Sequence, residues 1–162
     1  AHLRSRGQKQ TIMLGFSDGT KDGGYFMANW AIFRAKEALT KVSKEYNIDV
    51  VFFDGRGGPP ARGGGKTHQF YASLGPTIED KEVQLTIQGQ TISSNFGTPD
   101  SSKYNLEQLI SSGLSNSLGS ENKGFSDEDR QTMDELATLS YQTYQDFKAH
   151  PKFIPYLERI SC

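Results

Sequence analysis

The sequence is poor in cysteine, in long apolar runs and in any dominant charge, and each shortage excludes something. Its one cysteine, Cys162, is the last of 162 residues, so no internal disulfide can form and a reducing, cytoplasmic setting is the expectation. No apolar run approaches the ~20 residues needed to cross a bilayer. The opening ten residues are basic and polar, unlike the apolar core of a signal peptide. Eighteen Lys and Arg against nineteen Asp and Glu leave a formal charge of -1. That balance gives no global attraction to nucleic acid or an anionic membrane, and any basic site has to be local. His2, His68 and His150 are scattered without neighbours at metal-ligand spacing, and no Ser-His-Asp or Cys-His arrangement is present. The chain has no initial methionine and stops abruptly after Ile160-Ser161-Cys162, which reads as a piece cut from something longer.

What the sequence does have is glycine, and in one place. Six of seventeen glycines fall between Gly55 and Gly65, in Asp54-Gly55-Arg56-Gly57-Gly58-Pro59-Pro60-Ala61-Arg62-Gly63-Gly64-Gly65-Lys66, directly after the apolar run Val50-Val51-Phe52-Phe53. Such a loop costs backbone entropy and buries little, so a folded protein carries one where chain direction or ligand approach demands it. Arg56, Arg62 and Lys66 make phosphate or carboxylate the expected guest. A flexible linker is the bland alternative, but linkers favour serine and small polar residues over paired arginines and prolines.

At 18.0 kDa and 35% hydrophobic residues the chain is the size of one domain with a real core. The pattern predicts a strand over residues 11–16, a polar turn over 17–24 and a long helix over 25–46. Ala28, Ile32, Ala35, Leu39, Val42 and Tyr46 form the apolar stripe of that helix, and Asn47 ends it. Residues 49–53 read as a second strand of a parallel sheet covered on both faces. A short helix over 67–74, a third strand over 83–87, and helices over 101–118 and 126–149 follow. Ser126-Asp127-Glu128-Asp129 opens the last of these. Met133, Leu136, Leu139, Tyr144 and Phe147 are expected in its core, and residues 153–157 in a final turn. The fold class is α/β: βα units over residues 1–90 followed by a mainly helical 91–162, as in part of a (β/α)8 TIM-type barrel or an open sheet. A complete eight-stranded barrel needs roughly 200 or more residues and is excluded.

Parallel strands would bring the loops after the first and second strands to one end of the sheet, where α/β sites collect. Asp18 suits a hard cation, which takes one or two carboxylates and completes its shell with water and substrate oxygens; an Asx turn accounts for it equally. Lys21 either meets a substrate oxygen or is solvated, and Asp22 caps the following helix. Asp54 either binds metal or orients Arg56, and spacing does not choose. Arg56 and Arg62 present guanidinium forks that match carboxylate and phosphate oxygens. Gly63-Gly64-Gly65-Lys66-Thr67 has the look of a Walker A ending, yet the motif needs glycine at Pro60, which has no amide hydrogen to offer a phosphate. The dinucleotide pattern started at Gly55 fails at the same residue.

Met13-Leu14-Gly15-Phe16-Ser17-Asp18-Gly19-Thr20-Lys21-Asp22-Gly23-Gly24, together with residues 55–65, resembles the two signature segments of phosphoenolpyruvate carboxylase. The likeness extends more weakly through residues 86–90, 133–136 and 153–156. The resemblance implies a (β/α)8 barrel with extra helices, a homotetramer, and Mg²⁺- or Mn²⁺-dependent conversion of phosphoenolpyruvate and bicarbonate to oxaloacetate and phosphate. It also implies roles: Asp18 for metal, Lys21 at the active site, Arg56 with Gly57 and Gly58 for substrate, and Arg62 as the essential arginine of a mobile loop. Arg62 would also contact an inhibitory dicarboxylate, aspartate or malate. There are departures. Asp54, counted with Lys21, Arg56 and Arg62 among the catalytic residues, stands where many members have histidine, so that the histidine's proton or bicarbonate role is lost or met differently, and Ile87-Gln88-Gly89-Gln90 replaces Glu-Gln-Gly-Glu. The family's second metal carboxylate, an upstream histidine and a Gly-Ser-Arg-Pro segment have no counterpart in these residues. The isolated chain is therefore expected to have little carboxylase activity. The other classes left open are a non-catalytic dicarboxylate-binding regulatory piece and, behind it, a P-loop-like nucleotide-binding domain.

Overall fold

A computed structural model of the chain describes residues 5, 7–55, 66–87, 89–117 and 124–160. In order these give β1 (Lys9–Leu14), α1 (Phe16–Gly23), α2 (Tyr25–Glu45), β2 (Asp49–Asp54), α3 (Thr67–Ala72), β3 (Val83–Leu85), α4 (Gln90–Phe96), α5 (Pro99–Ser117), α6 (Asp127–Ala149) and α7 (Phe153–Arg159). The result is a mostly helical α/β chain with a small sheet of order β1-β2-β3, parallel throughout. It divides into two compact units, Ala1–Ser17 with Ile32–Gly124, and Asp18–Ala31 with Phe125–Cys162.

The first unit is organised by β2. Successive side chains of a strand point to opposite faces, which places Val50, Phe52 and Asp54 on one face. Val50 and Phe52 join Tyr71, Leu74 and Ile78 in the buried core, with Ile12, Leu14, Phe33, Leu39, Phe70 and Leu109 packed against it. Val51, on the opposite face, is also buried. On β1 only alternate residues are covered: Ile12 and Leu14, in register with Phe52 and Asp54, face the core, whereas Met13 is exposed. The two strands end level at Leu14 and Asp54, and the Gly55 N–H carries the ladder one step further by donating to the Leu14 carbonyl at 2.9 Å. A Cβ on Gly55 would stand 3.0 Å from that same oxygen.

Several sequence expectations change here. Residues 17–24 are not a turn: α1 occupies most of them, and the chain turns only at Gly24, whose φ of +80° is the left-handed conformation that ends a helix. Its N–H donates to the Thr20 carbonyl, and its own carbonyl accepts from Ala28, so α2 starts at once. Asn47, at φ +51°, ends α2 as expected. The inner face of α2 is rotated from the expected stripe. Val42 and Tyr46 are exposed, while Trp30, Lys36 and Thr40 are buried beside Ala28. Two polar residues therefore take inward positions, each with a partner; the Thr40 hydroxyl accepts from the Glu79 N–H at 3.1 Å. The helix α4 is unexpected from sequence, and β3 is shorter than predicted.

In the second unit α6 opens on a reciprocal capping box. Ser126 Oγ accepts from the Asp129 N–H, and the Asp129 carboxylate accepts from the Ser126 N–H. Trp30 is buried here, its Nε1 donating to Asp134 at 2.7 Å and its ring edge-on to Phe125. The expected core of α6 is not a core. Leu136, Leu139 and Phe147 are exposed, and only Ala137 is fully buried. The apolar spacing of α6 is real, but within this unit the short α1, the start of α2 and α7 offer too little surface to cover it.

Candidate functional site

The level ends of β1 and β2 send both chains out of the sheet at its carboxyl edge, the edge at which α/β proteins place their ligands. From β2 the chain runs into the glycine-rich segment. Arg56, Gly57, Gly58 and Arg62 lie outside the described residues, so their predicted roles remain those the sequence suggests.

Asp54, the last residue of β2, is described in full. It is not a loop residue at the mouth of a cleft: it is 0% exposed, on the core face of the strand. Its Oδ2 accepts from Lys36 Nζ of α2 and from the Tyr71 hydroxyl of α3, both at 2.7 Å. Lys36 is itself only 1% exposed, with its ammonium 5.1 Å from the ring centroid of Phe52, 5.5 Å from Phe70 and 5.7 Å from Tyr71. Aromatic faces are attractive to a cation, most of all where water is excluded. Asp54 Oδ1, by contrast, has no hydrogen-bond donor among the described residues. Oδ2 is thus engaged by an ammonium and a phenol, and of the two roles the sequence left open for Asp54 this geometry selects neither.

Asp18 and Lys21 belong to the second unit, on α1. They come within 3.9 Å of each other at (i, i+3), with side chains 87% and 71% exposed respectively. An ion pair so open to solvent contributes little, and both groups are free to turn toward a ligand. What is fixed is their backbone. The α6 side chains of Tyr144 and Lys148 donate to the Lys21 carbonyl at 2.8 and 3.3 Å, and Gln145 donates to the Asp22 carbonyl at 2.6 Å. These carbonyls belong to the last turn of α1, where helix acceptors have no partner of their own. Asp22 is thus at the end of α1 and does not cap α2.

A hard divalent cation would find in Asp18 one exposed carboxylate of the right chemistry. No group of three or more His, Cys, Asp or Glu able to hold a metal exists among the described residues. Asp18 therefore fits as one ligand of a site that needs others.

Lys36, Tyr71, Gln145 and Lys148 were not singled out from sequence, and Tyr144 was expected only as a core residue of α6. For Lys36 a signal was available: it lies three residues after Phe33 and three before Leu39, on the inward stripe of α2. The α6 donors carry no such signal, since a polar side chain bonded to a distant carbonyl reads like any solvated residue.

The parallel sheet, the glycine-dense, arginine-bearing stretch that follows β2 in sequence and the helix that follows β1 make this part of an α/β protein. The chain belongs to the phosphoenolpyruvate carboxylase family, whose model matches residues 1–161. It is 40% identical over 96% of its length to a phosphoenolpyruvate carboxylase of Corynebacterium diphtheriae. The corresponding figures are 38% over 98% for that of Rhodothermus marinus, and 36% over 96% for that of Mycobacterium leprae. The chain spans 17% of the length of each. No helix among the described residues is long and apolar enough to cross a membrane.

Proposed function

We propose that this chain supplies part of the active site of a phosphoenolpyruvate carboxylase, as consecutive βα units of a (β/α)8 barrel with attached helices. The observation that carries the reading is the family match along residues 1–161, which takes in both signature segments. In the reaction a bicarbonate oxygen attacks the phosphorus of phosphoenolpyruvate. The P–O bond to the enol carbon breaks, giving carboxyphosphate and the enolate of pyruvate. Carboxyphosphate falls apart to CO₂ and phosphate, and the enolate methylene carbon attacks CO₂ to give oxaloacetate. Every species on this route except CO₂ is an anion, and the enolate has to be kept from water until it meets CO₂.

In this reading Arg56, with the Gly57 and Gly58 backbone, binds the phosphate and carboxylate of the substrate, where a side chain at either glycine would block approach. Arg62 stabilises the charge that develops as the phosphoryl group leaves. Lys21 presents an ammonium to a substrate oxygen, and its exposure in this unit suits that task. Asp18 would hold Mg²⁺ or Mn²⁺, an ion that supplies Lewis acidity to the phosphoryl and enolate oxygens. Arg62 would also take the carboxylate of an aspartate or malate effector, so that inhibition withdraws it from the site. The setting is the cytoplasm, and the assembled enzyme is a homotetramer.

Oxaloacetate formation, followed through malate dehydrogenase, tests the proposal in a full-length protein carrying this sequence. Turnover that depends on both phosphoenolpyruvate and bicarbonate is expected, with loss of more than 100-fold in Arg62→Ala and much smaller change in substrate binding. Unchanged turnover in that variant would remove Arg62 from its role. The 162 residues alone should form no measurable oxaloacetate, since no group of three or more His, Cys, Asp or Glu able to hold a metal exists among the described residues.

A further inference from the structure

Among the described residues of the first unit, buried charge is concentrated at one point, the Lys36–Asp54 pair with Tyr71. As a device for stability it is a poor choice, because apolar residues of similar volume commonly hold a core as well as a buried ion pair, or better. Its internal arrangement is also lopsided. Both donors converge on Oδ2, leaving Oδ1 buried with no donor among the described residues.

Its place in the fold gives the arrangement a use. Asp54 is the last residue of β2, level with Leu14 of β1. Gly55 follows, bonded to the β1 backbone, and Arg56 comes next in sequence. Lys36 fixes this strand end from α2 and Tyr71 from α3, so elements on either side of the glycine-rich segment in sequence grip the same carboxylate oxygen.

We propose that Lys36 and Tyr71 are positioning residues for the carboxylation reaction: they clamp Asp54 by one oxygen and so fix the strand end from which Arg56 follows in sequence. The inference rests on the carboxylase reading above. It assigns Asp54 an indirect part, acting through the strand end, and makes Lys36 the residue that allows an aspartate to be used at this position.

The test uses the full-length protein in four forms: wild type, Lys36→Met, Lys36→Met with Asp54→Leu, and Tyr71→Phe. For each, kcat and KM for phosphoenolpyruvate and bicarbonate are measured beside thermal unfolding. Lys36→Met alone should unfold early. The double variant, with an apolar pair in place of the ions, should recover the melting temperature yet keep kcat at least 10-fold below wild type and raise KM for phosphoenolpyruvate, with KM for bicarbonate within about 3-fold. Tyr71→Phe, which removes one hydroxyl, should lower kcat about 3-fold at an unchanged melting temperature. A double variant with wild-type turnover would overturn the proposal and leave the pair a core tie. Should the double variant not fold, wild-type kcat in Tyr71→Phe would overturn it equally. A wild-type protein that forms no oxaloacetate would instead sink the carboxylase reading and this inference with it.

Discussion

The two units hold their chemically important residues in opposite ways. In the first, Asp54 and Lys36 are sealed in the core, and their side chains are fixed by each other, by Tyr71 and by three aromatic rings. In the second, the side chains of Asp18 and Lys21 stand open to solvent, and only the backbone beneath them is held, by three donors from α6. The first arrangement fixes a charge before any ligand arrives; the second fixes a platform and leaves its side chains to be ordered by what binds.

The contrast can be broken most sharply at Lys36. In this chain Lys36→Met leaves a buried carboxylate without its counter-charge and should cost about 3–5 kcal/mol, read as a lower urea midpoint at unchanged slope; a loss under about 1 kcal/mol would mean the core carries the pair loosely. Gly24→Ala comes next. A side chain at φ +80° is strained, and the new Cβ would lie 3.1 Å from the Tyr144 ring. A loss of about 1–2 kcal/mol is expected, with faster amide exchange confined to residues of the second unit. Tyr144→Phe removes one donor to the Lys21 carbonyl, worth about 1 kcal/mol. Hydrogen exchange should speed up at the end of α1 while Lys36, Thr40 and the β2 amides keep their protection; equal acceleration in both units would erase the distinction drawn here.

The smallest effect is a pH dependence at the start of α6. Hydrogen bonds from the Ser126 hydroxyl, and then from its backbone N–H, hold the Asp129 carboxyl below the usual carboxylate range. A group whose folded-state value is depressed stabilises fully above its unfolded value and loses that contribution as pH falls through the folded one. The capping box should therefore be intact at neutral pH and open only below about pH 4. NMR titration of Asp129, with Ser126→Ala returning it toward an ordinary carboxylate, would check this.

Much of the fold was legible because its signals are local. The apolar run before Asp54, the Asn47 break and the Ser126 opening each act through neighbours in sequence, and β2, the end of α2 and α6 lie where they point. What was not legible depends on partners far along the chain. Ser17-Asp18-Gly19-Thr20-Lys21 has the composition of a turn, yet it is helical, with its last carbonyls met by residues more than a hundred positions later. Lys36 reads outward because lysine is seldom buried without a partner, and its partner, eighteen residues on, was taken for the edge of a loop. Of the site, the family signatures were visible, including Asp18 and Lys21; the clamp under Asp54 was not, since nothing in the spacing of Lys36, Asp54 and Tyr71 announces that helix, strand and helix converge.

The hydrogen bond from Gly55 to Leu14 has a consequence for how this chain can vary. Because the crowding at this residue comes from a neighbouring strand's carbonyl oxygen, the sheet by itself disfavours a side chain there. Even alanine would require the Leu14 carbonyl to give by a few tenths of an ångström at the strands' shared exit, so swapping in a loop from a relative should begin no earlier than Arg56.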